Sequence, residues 1–341
     1  MEKIGLVIDN REWAGWQSVQ IARGLTQAAS AFRLSMTRYQ PEGLSLPAPI
    51  RAGADVTIRI DDAIALTGFI DTTQVGITAT GYSIDVSGRS KTARLIRSSD
   101  RAGKGAYRNI TMLSLASTIA KPHDITVKTV GWAGDAIIRQ VELTPGDTAF
   151  AAIERAARQV GCLVTDDSEG HLCLVKVSDA VQNFRLRYGE ARVSSWQYTD
   201  DASDRATLYR VIGQSAGSNS AFGDSVSSCR GSAADPDWTS QEIVLTLRAE
   251  GNATNADCEK RAQWEAKVRR AKAQALLVTV PTWRAPGGAI WTPGMTAKVE
   301  LPQVGLNQKM VVQNVTLTQD TTQEQATLAL VAADALGGVS D

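Results

Sequence analysis

The stretch "IRAGADVTIRI", residues 50–60, sets Gly53 ahead of Val56, Ile58 and Ile60, three apolar residues at alternate positions. Far down the chain "WTPGMTAKVEL", residues 291–301, sets Gly294 ahead of Ala297, Val299 and Leu301. Alternation of this kind marks a strand with one buried face, and the glycine marks the turn that feeds it. The likeness continues downstream. The first stretch leads to the acidic turn "DD" (61–62), the strand "LTGFID", a polar turn and "YSIDVSG". The second leads to "QVGLNQ" (303–308), "MVVQNVTL", "TQDTTQ" and "ATLALVA". Order and spacing agree while identities mostly differ. The repeated strand–turn–strand–turn–strand pattern predicts two similar antiparallel β-barrel domains. The competing reading is two unrelated meanders, because all meanders alternate.

The rest of residues 1–104 reads as the first β-barrel domain. Val19 and Ile21, then Phe32, Leu34 and Met36, then Tyr82, Ile84 and Val86 alternate, with the turn-rich stretches "QPEGLSLPAP" (40–49) and "ATG" (79–81) between strands. The period then changes. In "NITMLSLASTIAKP" (109–122), Met112, Leu115, Ala116 and Ile119 share a helical face, Thr111 is the N-cap, Ile110 staples to Leu115, and Pro122 ends the helix. A second helix follows "TPGD" (144–147), with Asp147 as its cap and Phe150, Ile153, Ala157 and Val160 as its apolar stripe. Two strands flank the turn "DDSEG" (166–170), the second through Leu172, Leu174 and Val177. Residues 105–180 are therefore expected to form a small α/β module.

Strands resume at 184–188 and 206–213, and "EIVLTLRAE" (242–250) alternates at Ile243, Leu245 and Leu247. Between them the Gly/Ser/Ala/Asp-rich segment 214–237 carries too little apolar surface to offset its chain entropy, and is expected to be a mobile loop. Residues 181–252 would link or complete the barrels. Residues 253–335 would hold a long helix, 255–277, with a stripe of Trp264, Val268, Ala271 and Ala275, and then the second barrel. The fold class is mainly β with an α+β insert.

The chain has 341 residues, more than one typical domain, and its 36 basic and 36 acidic residues cancel. That balance argues against a dedicated nucleic-acid binder. No apolar run approaches the ~18 residues of a membrane span, so no stable membrane insertion is expected. The N-terminus lacks the pattern of a signal peptide, which points to a soluble product made in a cytoplasm. Cys162, Cys173, Cys229 and Cys258 form no C-x-x-C pair. Cys162 and Cys173 are placed to face each other across a hairpin, but reduced, buried thiols are the expected state.

Candidate chemistry is sparse. His123, in "KPHD", and His171, after "SEG", have no partner at metal-ligand spacing and read as polar surface residues. No nucleophile elbow or P-loop occurs, so no cofactor, no metal and no enzymatic activity are expected. "LTPGDTAFAAIERAARQVGCLV" (143–164) resembles the opening of the LysM peptidoglycan-binding module, although a turn feeding a capped helix explains it without any sugar. Glu142 and Asp147 are the acid pair a hydrolase reading would need. The segment 88–108 concentrates Arg89, Lys91, Arg94, Arg97, Arg101, Lys104 and Arg108 against Asp100 alone. It is read as an electrostatic assembly contact or a solvated connection, with Arg94, Arg97, Arg101, Lys104 and Arg108 as the candidate contacts. Trp13, Trp16, Trp238, Trp283 and Trp291 are candidate interface anchors, with core packing as the alternative.

Two segments are more specific. "WAGWQSVQIARGLTQAASAFRLSM" (13–36) and "GFIDTTQVGITATGYSIDVSGRSKTARLI" (68–96) resemble the Mu-type baseplate hub proteins of contractile phage tails. Trp16, Gly68, Ile70, Asp71, Gly88, Arg89, Lys91, Thr92, Ala93 and Leu95 stand at matching positions, as do Trp291, Pro293 and Gly294 further on. The resemblance continues through 147–161, 203–213 and the basic helix, up to about residue 332. It implies a homotrimeric hub whose paired barrels make a pseudo-sixfold ring between the tail tube, or a distal tail protein, and the central spike. It also implies contacts with other baseplate proteins and a bore for DNA passage without specific nucleic-acid binding. The implied location is the virion tail baseplate, with the host cytoplasm during assembly. The alternative is a peptidoglycan-binding tail module.

Overall fold

The computed structural model describes residues 2–39, 50–79, 81–101, 103, 105–176, 183–187, 189, 192–214, 228–238, 242–332 and 336. The N-terminal part runs β1 (Ile4–Ile8), β2 (Arg11–Trp13), β3 (Ser18–Gly24), β4 (Ala31–Tyr39), β5 (Asp55–Ile60), β6 (Ala63–Thr78), β7 (Gly81–Ser90) and α1 (Ala93–Arg97). Next come β8 (Ala106–Thr111), α2 (Met112–Ala120), β9 (Val127–Val130), β10 (Ile137–Glu142), α3 (Ala149–Gln159), β11 (Leu163–Asp166) and β12 (Leu172–Val175). The chain continues through β13 (Asn183–Arg187), β14 (Ser195–Asp200), β15 (Leu208–Gln214), β16 (Cys229–Ala234), β17 (Val244–Asn252) and α4 (Asn255–Ala273). It closes with β18 (Gln274–Val280), β19 (Thr296–Leu301), β20 (Leu306–Gln319) and β21 (Glu324–Ala332).

The two glycine-led stretches found in the sequence become β5–β6–β7 and β19–β20–β21, and they repeat each other bond for bond. Gly53 and Gly294 both lie in the left-handed region, at φ 87° and 93°, where a side chain would be strained. Gly53 donates its N–H to the carbonyl of Ile70 (2.8 Å), and Ile70 donates back to Ala54 (3.0 Å). Gly294 donates to Val312 (2.9 Å), and Val312 donates back to Met295 (2.9 Å). The register against the third strand then shifts in both copies at the next residue, between Ile70 and Thr72 and between Val312 and Asn314. One extra residue at matching places, Asp71 and Gln313, bulges both long strands.

The likeness extends to the flanking strands. In the first half the order is β3-β4-β7-β6-β5-β1; in the second it is β14-β18-β21-β20-β19-β13. Phe32 faces Gly88 as Leu276 faces Leu330, and Ile21 faces Phe32 as Tyr198 faces Leu276. Only the last strand departs: β1 is antiparallel to β5, whereas β13 is parallel to β19.

One expectation is corrected here. Neither half closes into a barrel by strand pairing among the described residues. The outer edge of β3, which a closed barrel would pair within its own half, pairs instead with the distal part of β20 in the other half. Both halves therefore belong to one 13-stranded sheet, with one apolar core running from Leu6, Ile21 and Ile58 to Val299, Leu317 and Leu328.

The helical module has its own core, in which α2 and α3 contribute Met112, Leu115, Ile119, Ala152, Ile153 and Ala156. Thr111 caps α2 as expected, accepting from the Ser114 N–H at 3.2 Å. The cap of α3 is Thr148 rather than Asp147: Thr148 Oγ1 accepts from Ala151 N–H (3.1 Å). Asp147 is engaged one step earlier, accepting from Thr144 N–H (2.9 Å) and pairing with Arg155 (2.9 Å). The buried stripe of α3 is Ala149, Ala152, Ile153, Ala156 and Ala157, since small residues let the helix approach its neighbours closely.

The expected mobile loop is also corrected in part. Residues 215–227 lie outside the described residues, but Cys229–Ala234 form β16, paired with β15. The small residues there serve close packing: a Cβ on Gly231 would sit 2.1 Å from the Glu259 backbone nitrogen of α4. This helix covers the sheet β16-β15-β17 with Cys258, Ala262 and Ala266, while Trp264 is only half-buried. It ends at Ala273, and Ala275 belongs to β18, where Leu276, Val278 and Val280 alternate into the main core.

All four cysteines are buried thiols, with none in a disulfide. Across the β11–β12 hairpin Cys173 faces Thr165, not Cys162. Burial pushes the Cys162 and Cys173 thiols up to about 12. Both should therefore resist a thiol reagent at pH 8 in the folded protein and react within minutes in denaturant; fast native labelling would contradict this packing.

Candidate assembly surfaces

The motif residues of 68–97 gather at one corner of the first half, and the structure gives most of them a job inside the fold. Gly68 and Gly88 lie on adjacent strands that approach closely. A Cβ on Gly68 would sit 2.0 Å from the Arg89 carbonyl oxygen, and one on Gly88 2.1 Å from that of Phe69. Asp71, the bulged residue of β6, receives a two-pronged contact from Arg89 (2.7 and 3.2 Å) and a third from Arg97 (3.1 Å). The fork of the guanidinium matches the carboxylate geometry. Arg94 pairs with Asp55 at 2.9 Å, and Arg101 donates to the Pro122 carbonyl at 2.7 Å.

The candidate contact residues thus divide. Arg94, Arg97 and Arg101 are tied to partners within the chain, Arg108 is exposed on β8, and Lys104 lies outside the described residues. Counting charges in a sequence window missed Asp55 and Asp71, which reach the segment through the sheet.

Ser90 and Thr92 build a buried polar seam between the first half and the helical module. Ser30 Oγ donates to Asp166 Oδ1 (2.8 Å), and Ser30 N–H is shared between Asp166 Oδ2 (3.0 Å) and Ser90 Oγ (3.1 Å). Ser90 and Thr92 hydroxyls lie 2.8 Å apart, and Thr165 Oγ1 donates to the Gly24 carbonyl at 2.7 Å. Burial pushes the Asp166 carboxyl up and the neighbouring Arg23 guanidinium down, while the charge of each opposes the shift of the other. Lys91 N–H completes the corner by donating to Thr67 (3.1 Å). Sequence reading missed Asp166, Ser30 and Arg23, whose roles depend on partners far along the chain.

The tryptophans also divide. Trp283 and Trp291 are core residues, 0% and 2% exposed, and each indole N–H finds a backbone carbonyl: Thr318 and Gln325 for Trp283, Thr282 for Trp291. Trp291 also stacks edge-on against Phe184, with ring centres 4.7 Å apart. Pro293 and Gly294 follow it into the tight turn before β19. Trp16 and Trp13 pack half-buried on the main core, and Trp16 Nε1 donates to the Trp13 carbonyl at 3.0 Å. Trp238 lies under Arg205, 5.2 Å from ring centre to guanidinium.

Both histidines differ from expectation. His123 is buried, in a single 3-10 turn at the end of α2 that folds it inward, and burial lowers its pKa. His171 does have partners: the turn brings its Nδ1 within 2.9 Å of Asp167 and 3.3 Å of Glu169, a set that a metal could use. Lys128 Nζ already stands against both carboxylates, at 3.0 and 2.9 Å, and supplies the positive charge. Glu142 and Asp147 are likewise engaged. Asp147 is held below the usual carboxylate range by the Thr144 N–H and Arg155, the reverse of what a general acid needs.

Asp166→Ala should lower folding stability by about 3 kcal/mol, because it leaves Arg23 buried without its neighbour and removes the two contacts Asp166 accepts from Ser30. A free-energy loss from urea unfolding of less than a third of that amount would show that the seam does not hold the module to the sheet.

Comparison with known proteins agrees with this architecture. Residues 3–90 match the family described as Mu phage baseplate assembly protein GpP-like, N-terminal, and residues 92–176 the second domain of the baseplate hub protein gp44-like family. Residues 254–337 match the fourth domain of Mu phage baseplate assembly protein GpP. The baseplate hub protein gp44 of Escherichia phage Mu is 28% identical over 340 residues, spanning 96% of this chain and 87% of that protein. Among solved structures, the 43 kDa tail protein of prophage MuSo2 from Shewanella oneidensis superposes with a TM-score of 0.85 at 24% identity, covering 98% of this chain and 99% of that one. The E. coli c3393 protein, a component of the type VI secretion system with structural similarity to T4 tail proteins gp27 and gp5, gives a TM-score of 0.58 at 12% identity, over 96% of this chain and 76% of that one. With successive family matches along most of its length and one architecture throughout, the chain belongs to the Mu-type baseplate hub proteins of phage tails.

Proposed function

We propose that three copies of this chain form a ring that joins the tail tube, or a distal tail protein, to a central spike, within the baseplate of a virion. The observation that carries this reading is the internal duplication. Two halves with the same register, the same glycine turn and the same bulge give three chains six similar positions, while the chain itself repeats only three times. Such a collar suits a sixfold partner on one side and a threefold one on the other. Subunits would be made in the host cytoplasm and taken up with other baseplate proteins, and the bore would pass DNA without reading its sequence.

The role proposed is mechanical, with no reaction. The motif residues Trp16, Gly68, Asp71, Gly88, Arg89, Lys91, Thr92, Trp291, Pro293 and Gly294 act by holding the halves in shape. Arg108 and Lys104 remain proposed contacts to other baseplate parts. Among the described residues no helix is long and apolar enough to cross a membrane. A glycan-binding role for 143–164 has weaker support, because Thr148 capping and the Asp147–Arg155 pair account for that motif.

Mass photometry of the full chain, alone and with its spike protein, tests the reading. The expected particle is near three times the 36.4 kDa chain mass. A chain that stays monomeric and does not retain the spike would overturn it.

A further inference from the structure

Comparing the two halves position by position exposes an asymmetry. The bulge divides each long strand. In the second half, β20 pairs with β19 through Leu306–Val311 and then with β3 through Asn314–Gln319, both along one edge. In the first half, β6 pairs with β5 through Ala63–Phe69, and beyond the bulge that same edge, residues 72–78, pairs with no strand among the described residues. The burial follows. Val315 and Leu317, covered by β3, are 0% and 1% exposed. Their counterparts across the duplication are Thr73 and Val75; Val75 is 51% exposed, and Ile77 beyond it 66%. Yet Val75 and Ile77 stand opposite Ile84 and Tyr82, which are buried, so they point to the core side of the sheet, largely uncovered by the described residues.

The complementary edge is also present. By the registers above, β14 is to the second half what β3 is to the first: Val19 and Ile21 of β3 correspond to Trp196 and Tyr198 of β14. Val19 and Ile21 are 1% and 0% exposed, since β3 is paired on both edges, with β4 and β20. Trp196 and Tyr198 are only partly buried, and among the described residues β14 pairs with β18 alone. A chain therefore carries one filled junction and the two separated sides of a second. They lie on different halves, as a head-to-tail contact between copies requires.

Building on the ring reading, we infer that Thr72–Thr78 of one chain pairs antiparallel with β14 of the next copy, in the register that β20 and β3 use within the chain. Val315 opposite Arg23, Leu317 opposite Ile21 and Gln319 opposite Val19 then translate to Thr73 opposite Asp200, Val75 opposite Tyr198, and Ile77 opposite Trp196. The partner is a second copy because its edge is the one whose internal counterpart is already seated this way. The pairing covers an exposed apolar edge that would otherwise template non-specific association.

The test is a chain carrying both Val75→Cys and Tyr198→Cys, oxidised at the concentration where the wild-type particle size is recorded, with the spike present. Directly opposed residues have the Cα spacing a disulfide needs. Non-reducing gels should show covalent species of two and three chains, while Val75→Cys with Gln197→Cys, one residue out of register, should show at least tenfold less. Val75→Asp supplies a second readout. The position is exposed in the single chain, so thermal unfolding of the monomer should stay put while the ring is lost. A wild-type ring with no crosslink, and with Val75→Asp still assembling, would overturn this pairing and leave the ring reading intact. A wild-type chain that forms no ring even with the spike, and no crosslink, would overturn both.

Discussion

The bulge that follows Ile70 and Val312 is the constraint on which the architecture depends. A regular strand of 16 or 14 residues would keep one neighbour along each edge for its whole length. One inserted residue breaks the ladder and redirects the strand, so that the segment before it and the segment after it meet different partners. The glycine turn makes the break hold. Gly53 and Gly294, each in a backbone conformation other residues avoid, place an N–H against the last carbonyl before the bulge. The entering strand is thereby fixed to one half of the long strand, and the other half is left for a different neighbour.

A second constraint couples the helical module to this sheet. Asp166 ends β11 and reaches Ser30 between β3 and β4, across 136 positions of sequence. A buried carboxylate is costly unless its oxygens are filled, and here two donors from Ser30 answer it, with the charge of Arg23 nearby. The same seam uses Ser90 and Thr92, which explains why a motif that looks basic is really organised around hydroxyls and close-packed glycines. Arg89, Arg97 and Arg94 of that motif answer Asp71 and Asp55 within the sheet, two carboxylates that the sequence window does not contain.

What the sequence made legible was what depends on neighbours two or four positions away. Val56, Ile58 and Ile60 alternate because one face is buried, and Thr111 precedes an apolar helical face, so both are visible in a short window. The duplication was visible for the same reason. The remainder depended on distant partners. Asp166 and Asp167 are adjacent and chemically alike, yet one is buried against Ser30 and the other faces Lys128 on the surface. Trp283 and Trp291 read equally as interface anchors or core residues until the carbonyls that receive their N–H groups are located. Barrel closure could not be read at all, because alternation gives the face a strand buries and says nothing about which strand lies along its edge. Small-residue composition misled at Cys229–Ala234, where it signals a helix lying close overhead.

The opposite polarities of β1 and β13 have a consequence of their own. Each half shares its inner five strands with the other but ends on a different flank: an antiparallel hairpin, β1 with β2, on one, and a lone parallel strand on the other. In the proposed collar of three chains, a ligand touching only the inner strands would meet a similar backbone every sixth of a turn. A ligand touching the flanks would meet alternating surfaces and repeat every third. The change of rotational order would then need no additional subunit, since it is written in the direction of a single five-residue strand.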